Sequence, residues 1–454
     1  MAGRLASRLL SCWLLASAVH LSAVSCAGAD RLVRLRLESL DQLRFVASVG
    51  VGSSPQRLRL LVDTGSSDTW LSLAGSLGRA SPAGLPAAQP PSAQEEASSF
   101  EIHYGSGAVS GLTASEELQL GDVGAERLAV PDVCVGLVDR QTPGVQTLGL
   151  EGVLGLGMEA LAQLDGNRSL LKALARQPDE SAVFSLYLAT GSGGAHPPSQ
   201  LVFGGVDPAL ASASATWLSF PVAPHAQLSL ASSAARYGFW ALRLRRLTLD
   251  DRSLPLSTLN GHSGVALLDS GTSLLLLPAQ AFRAFLQRLS TRLGTRLLPP
   301  SPQQYTLPTC RRCQASEFPP LAFDLELESG GSRRFVLLGG DYVSCSQRRR
   351  ECSALLDVVR SPAAGAAAER GVVVLGSVFL RAYYTLFDAT RRRVALACAA
   401  DDRGVCLPRP QQEPEPPPPD PPLSRRLLAG VCAVATALAS LAGLRLLLPP
   451  PTTT

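Results

Sequence analysis

Between residues 30 and 400 short apolar runs alternate with Gly, Ser and Pro turns, as in FVASVGVGSSPQRLRLLVDTG at 45–65 and FPPLAFDLELESGGSRRFVLL at 318–338. Runs of this length, punctuated by turn formers, predict strands, so the body reads as mainly β. Helical spacing is confined to two stretches. Ser169 to Arg176 and Ala279 to Leu293 carry apolar residues at the helical period, and Pro278 stands where a proline suits a helix start. Beyond the β-patterned body, LPRPQQEPEPPPPDPP at 407–422 cannot enter a ladder, because proline has no N–H to donate; it predicts an extended stalk.

The two ends follow a different pattern. Arg4 and Arg8 precede an apolar run from Leu9 to about Val24 and then the small residues Ser25 to Ala29, the layout of a secretory signal peptide over 1–29. Leu427 to Leu448 is apolar except for Arg445 and would span ~33 Å as a helix, enough to cross a bilayer. Arg425 and Arg426 lie on the side that would be lumenal, against the positive-inside tendency, and a tail removed on GPI attachment is the rival reading. The expected location is the secretory route: a single-pass membrane protein with its body lumenal or extracellular, endolysosomal or at the cell surface.

Composition narrows the picture. With 46% hydrophobic and 17% charged residues the chain is too apolar to be disordered, and a net charge of +4 over 454 residues is no footprint for nucleic acid or an anionic membrane. One lysine, Lys172, stands against 40 arginines, which fall in scattered pairs and triplets such as Arg333–Arg334, Arg348–Arg350 and Arg391–Arg393. That is compositional bias on solvated loops. Outside the terminal segments seven cysteines remain. In an oxidising compartment most should pair, and the odd number leaves one free or joined to another chain. Cys310 and Cys313 form a CxxC that could suggest zinc or redox chemistry, but Cys345 and Cys352 lie nearby and no His accompanies them, so two local disulfides of open connectivity are expected, with no metal and no cofactor. Asn167-Arg168-Ser169 is a glycosylation sequon at Asn167.

The informative feature is a repeat of about 206 residues. LLVDTGSSDTWL at 60–71 is echoed by ALLDSGTSLLLLP at 266–278, and GVLGLG at 152–157 by VVLGSVFL at 373–380. One Asp-Thr-Gly is ordinary turn chemistry. Two copies in equivalent places of two half-repeats predict lobes related by a pseudo-twofold axis, with Asp63 and Asp269 face to face. Two buried carboxyls that close share one proton and can hold a water between them. The ionised one can take a proton from that water while the protonated one polarises an amide carbonyl, which is peptide hydrolysis without metal or covalent intermediate.

Over roughly residues 40 to 400 the sequence resembles the pepsin-like aspartic proteases. The matches are DTGSSDTW (63–70), IHYGSGAVSG (102–111), VLG (153–155), DSGTS (269–273) and VLGSVFLRAYYTLFDATRRRVALA (374–397), in this order. The resemblance implies a bilobal β fold with an interlobe cleft, no cofactor, a polypeptide substrate held as a strand, and a monomer. It makes Asp63 and Asp269 the catalytic pair. Ser66 and Thr272 would bond their outer oxygens, Thr64 and Ser270 would cross-link the two loops beneath, and Gly65 and Gly271 would let the backbone approach substrate. Tyr104 would sit on a hairpin flap with Trp70 bonding its hydroxyl and Ser106 adding a flap hydrogen bond.

Three departures qualify these expectations. Only Asp30 to Leu40 separates the signal from the body, and RLVRLRLESL resembles just the first strand of the basic prosegment that usually fills the cleft, so acid-triggered activation is not expected. The small disulfide loops many members carry after the first catalytic motif and before the second have no cysteines here. Ser377 stands where acid-adapted members often have Asp, which should change the pair's apparent pKa values and move the optimum to a milder range, about pH 4.5–6.5. The expected divisions are a signal peptide (1–29), an N-terminal β lobe with the first Asp and the flap (30–220), a C-terminal β lobe with the second Asp and the disulfides (221–406), a Pro-rich stalk (407–426), a transmembrane helix (427–448) and a short tail (449–454). The function expected is an aspartic endopeptidase of either broad or narrow specificity; the alternative is an inactive relative that binds peptides or proteins in the same cleft.

Overall fold

The computed structural model describes residues 31–398 apart from 53–55, 74–96, 178–181, 190–196, 212–214, 225–236, 257–263, 299–306 and 360–370. The expected signal peptide, stalk, transmembrane helix and tail lie outside the described residues. Among those described, no helix is long and apolar enough to cross a membrane.

The chain is mainly β, with strands in a thirteen-stranded sheet, an eight-stranded sheet and a three-stranded sheet among the described residues. The sequence repeat is a repeat of topology. In the first half Gln56–Asp63 runs parallel to Gly152–Gly155, which is antiparallel to Thr69–Ser72, itself parallel to Leu128–Gln141. In the second half Gly264–Leu268 runs parallel to Val372–Leu375, which is antiparallel to Leu275–Leu277, itself parallel to Leu356–Val358. Gly152–Gly155, Thr69–Ser72, Gly264–Leu268 and Val372–Leu375 are buried throughout. That burial on both faces is why these segments read as unbroken apolar runs. Each motif loop therefore leaves the end of a buried strand and returns on the far side of the strand paired with it.

The two halves also share a sheet. Tyr383–Asp388 pairs with Val183–Tyr187 and with Arg393–Cys398, and the last of these pairs with Leu218–Pro221, within which the expected lobe boundary at 220 falls. Val33–Ser39, from the prosegment-like RLVRLRLESL, is a ladder strand between Gln200–Phe203 and Phe45–Val51, burying Val33, Leu35 and Leu37 on one face. Packed at the junction, Phe184 stacks on Phe387 at 4.7 Å, and Trp240 meets both edge-on at 5.8 and 5.1 Å.

Both expected helices form, as Leu170–Ala175 and Ala279–Leu293. The longer one buries Ala281, Phe285, Leu289 and Leu293, one residue per turn, and shows Arg283 to solvent. Single helical turns at Pro143–Gln146, Gly339–Tyr342 and Ser377–Leu380 carry no readable period; the last is wholly buried in an apolar run. The cysteines pair as Cys345–Cys352, within the three-stranded sheet formed by Thr309–Arg311, Glu351–Ala354 and Val343–Ser346, and as Cys310–Cys313, which ties the first of these strands to the turn that follows it. Cys134 is buried and unpaired, while Cys406 and the side chain of Cys398 lie outside the described residues.

Truncating Phe184 would open a cavity against both halves at once, so Phe184→Ala should lower stability by about 3–5 kcal/mol. The exposed Arg283→Ala should stay within ~0.5 kcal/mol. Chemical unfolding of both variants checks the difference.

Candidate active site

The sequence places Asp63 and Asp269 at the ends of the parallel strand pairs, where the next two residues must turn. Each carboxylate is held by its own loop in the same way. The Gly65 N–H donates to Asp63 Oδ1 at 2.8 Å and the Ser66 hydroxyl to Oδ2 at 2.6 Å. The Gly271 N–H donates to Asp269 Oδ1 at 2.9 Å and the Thr272 hydroxyl to Oδ2 at 2.6 Å, with the Thr272 N–H adding a bond of 3.2 Å to Oδ1.

Between the aspartates and the body the two loops are bonded to each other. The Thr64 N–H donates to Ser270 Oγ at 3.0 Å, and the Ser270 N–H to Thr64 Oγ1 at 2.9 Å. Each hydroxyl then donates across the junction to a strand carbonyl, Thr64 to Leu268 at 2.9 Å and Ser270 to Val62 at 2.7 Å. Only a hydroxyl can accept from one partner and donate to another in this way, which is why Thr and Ser stand at these two places.

The loops come close enough that side chains would collide. A Cβ on Gly65 would lie 2.5 Å from the Asp269 carboxyl, and one on Gly271 would lie 2.4 Å from Asp63 Oδ1. Glycine at both positions lets each backbone rest on the opposite carboxyl. Asp63 is 7% exposed. Burial first, and then the Asp269 carboxylate beside it, push the Asp63 carboxyl well above the usual carboxylate range, against the bonds from Ser66 and Gly65 that favour the ionised form.

Over this pair lies the hairpin of Ser99–Tyr104 and Gly107–Leu120, with Gly105 and Ser106 as its exposed two-residue turn. The buried Trp70 indole N–H donates to the Tyr104 hydroxyl at 2.9 Å, and burial and then the Asp63 charge hold that phenol above its ordinary pKa. Trp70 and Tyr104 pack with Ile102, Val109 and Val145 in one apolar cluster. On the strands leading to the second loop, Leu267, Val372 and Val374 form a second cluster, with Phe239 packed against it. Ser377 is fully buried beneath the second loop, donating its N–H to the Thr272 carbonyl at 2.8 Å and its hydroxyl to the Ser270 carbonyl at 3.3 Å.

The structure thus brings Asp63, Thr64, Gly65, Ser66, Asp269, Ser270, Gly271 and Thr272 together, with Trp70 and Tyr104 beside them. The four paired cysteines and Asn167 belong to other elements; Asn167 lies exposed on the turn Gly166–Arg168. Among the described residues no cluster of three or more potential metal ligands forms.

Two contributors escape a reading of the motifs. Asp68, buried in the tail of the first motif, accepts the N–H groups of Gln163 at 2.8 Å and Leu164 at 3.1 Å and so ties the 159–168 segment to the motif. Its acidity in DTGSSDTW was the available signal. Thr142 braces the hairpin from below: the Ala108 N–H donates to Thr142 Oγ1 at 2.9 Å, and the Thr142 N–H to the Ala108 carbonyl at 3.0 Å. Gly107, at φ +142°, rests against Thr142, and a Cβ on Gly144 would lie 2.0 Å from the Ser106 carbonyl. The Thr-Pro-Gly run at 142–144 marks a turn in the sequence, but not what it touches.

Comparison with known proteins agrees with this geometry. Residues 44–399 match the family described as Eukaryotic aspartyl protease. Mouse gastricsin is 26% identical over 359 residues, covering 78% of this chain and 80% of its own. Vacuolar protease A of Neurospora crassa is 25% identical (78% of each chain), and chicken cathepsin D is 24% identical over 373 residues (80% of this chain, 82% of its own).

Replacing Thr142 by Val keeps the shape and removes the acceptor for Ala108. Amide exchange at Ala108 should then quicken by up to about tenfold, whereas Thr142→Ser should leave it near the wild-type rate. Site-resolved hydrogen exchange makes the comparison.

Proposed function

The chain belongs to the eukaryotic aspartyl protease family and is an aspartic endopeptidase, and on that premise we propose that Asp63 and Asp269 are the pair that cuts the peptide bond. The observation carrying this reading is the matched bonding of the two carboxyls, each with its outer oxygen taken by a hydroxyl and each facing the glycine of the other loop.

The pair holds one proton. Ionising both carboxyls would bury charge and set two negative charges against each other, and burial first, then the Asp269 charge, raise Asp63 accordingly. A water bound between them loses a proton to the ionised carboxylate as its oxygen attacks the amide carbon, while the protonated carboxyl gives its proton to the carbonyl oxygen. The tetrahedral diol then collapses with proton transfer to nitrogen, the C–N bond breaks, and the pair regains its single proton. Thr64 and Ser270 act by positioning. Tyr104, held by Trp70, and Ser106 on the exposed turn close over a substrate strand. The apolar clusters flanking the pair favour apolar side chains on both sides of the cut bond.

The proton on Asp63 persists above the pH near ~4 at which ordinary carboxyls lose theirs, so on the alkaline side activity should fall only as pH rises through that elevated value. The expected profile is a bell with its maximum at about pH 4.5–6.5. Cleavage of a quenched fluorescent peptide library between pH 3 and 7 tests it. Asp63→Asn and Asp269→Asn should each lower kcat/KM by about 10³-fold or more, and pepstatin should block the wild type. A maximum near pH 2 overturns the milder optimum, and full activity in either variant overturns the assignment.

We also propose that residues 427–448 anchor the body to a membrane of the secretory route, with Asn167 carrying a glycan. The 22-residue apolar run, the signal-like 1–29 segment and the exposure of Asn167 support this. The chain should stay with membranes through alkaline carbonate extraction and leave them in detergent. Release by a phospholipase that cuts GPI anchors would replace the helix by a lipid.

A further inference from the structure

The arginines are what the active site leaves unused. Arg348, Arg349 and Arg350 fill the exposed turn between Val343–Ser346 and Glu351–Ala354. Arg311 closes the neighbouring strand Thr309–Arg311, and the following Arg312 donates its N–H to the Arg350 carbonyl at 2.7 Å. Five guanidinium groups thus belong to one end of the three-stranded sheet, all on exposed residues. The Cys310–Cys313 and Cys345–Cys352 bridges brace the strands that carry them.

Several arginines of the other runs have partners within the fold. Arg391 and Arg393 both pair with Asp388, Arg392 lies over the Tyr237 ring at 4.8 Å, and Arg334 pairs with Asp324 and Asp251. At the braced end the one ion pair among the described residues is Arg311 with Glu351 at 3.3 Å. Glu317, on the next turn, is taken by Arg296 at 2.7 Å. Arg312, Arg348, Arg349 and Arg350 have no carboxylate partner among the described residues. Like charges gathered this way repel, and an anionic partner relieves the repulsion.

We propose that this end of the sheet binds a sulfated glycosaminoglycan chain; the choice of ligand rests on the secretory-route reading above. A guanidinium fork donates two parallel N–H bonds to a tetrahedral oxyanion, which lysine does not match. An array spread over a turn and a neighbouring strand, ~4.8 Å apart, suits a linear polyanion better than one small ion. Sulfate half-esters and arginine both keep their full charge across the acid range in which the aspartate pair works.

The test uses the full chain in detergent and measures affinity for heparin at ~150 mM salt. The variant Arg348→Gln, Arg349→Gln, Arg350→Gln should bind at least about tenfold more weakly, with peptide cleavage unchanged. A control losing the same charge from exposed sites elsewhere, Arg140→Gln, Arg245→Gln, Arg283→Gln, should stay within about twofold. Should the triple variant not fold, the single exposed change Arg348→Glu supplies the same comparison. Equal losses in hairpin and control variants, no heparin binding by the wild type, or tighter binding to polyglutamate or to phosphatidylserine vesicles overturns the proposal. Heparin affinity is read without peptide cleavage, so this proposal and the catalytic assignment fail separately.

Discussion

Four buried hydrogen bonds between loops 206 residues apart, made by Thr64 and Ser270, are the constraint on which the proposed catalytic centre rests. Each hydroxyl accepts the other loop's N–H and passes its own proton to a carbonyl at the end of the opposite strand. No group in this arrangement is left unpaired, and none can be removed without stranding a buried donor or acceptor. Because the bonds are reciprocal, they fix not only the separation of the loops but their twofold relation. Asp63 and Asp269 then have no freedom to move apart and relieve their repulsion, and the single proton proposed for the pair would follow from that confinement.

The fold supplies the rigidity such a contact needs. Two copies of one strand arrangement deliver the loops, and the shared sheet of Val183–Tyr187, Tyr383–Asp388 and Arg393–Cys398 prevents the halves from separating. The Phe184–Phe387 stack and Trp240 fill the junction, and the Trp240 indole N–H donates to the Leu156 carbonyl at 2.8 Å, one residue past the strand paired with the first catalytic one. Core packing and the alignment of the aspartates are therefore one problem. A loosened junction would disturb the alignment of the two carboxyls without touching either of them.

The hairpin over the pair is built on different terms. Its turn is exposed and carries Gly105 and Ser106, yet its base is fixed by Thr142 and its tyrosine by Trp70. Asp68 extends the same motif outward, pinning the 159–168 segment, whose Leu164 packs in the cluster beneath Tyr104. One eight-residue motif thus contributes a carboxylate, a cross-link, a clasp and the partner of the hairpin tyrosine. Its density of roles comes from the tight loop, which points successive side chains in different directions.

Much of this was legible in the chain. The paired motifs, their spacing and the apolar runs before them determined two equivalent Asp-bearing loops at the ends of buried strands, because burial on both faces and a turn after Asp each leave a local residue signature. The helix Ala279–Leu293 was equally plain, since its buried stripe repeats every turn. Contacts between distant segments had no such signature. That Thr142 braces Ala108, that Asp68 clasps Gln163 and Leu164, that Val33–Ser39 joins the shared sheet, and that Cys310 pairs with Cys313 although register sets it across from Cys352 were decided by where folding brings these groups together. The scattered arginines show the same limit: Arg391 and Arg393 turn inward to Asp388, while Arg348 to Arg350 meet Arg311 and Arg312 at one sheet end. Composition could not separate them, because a charge acquires partners only when folding sets its neighbours.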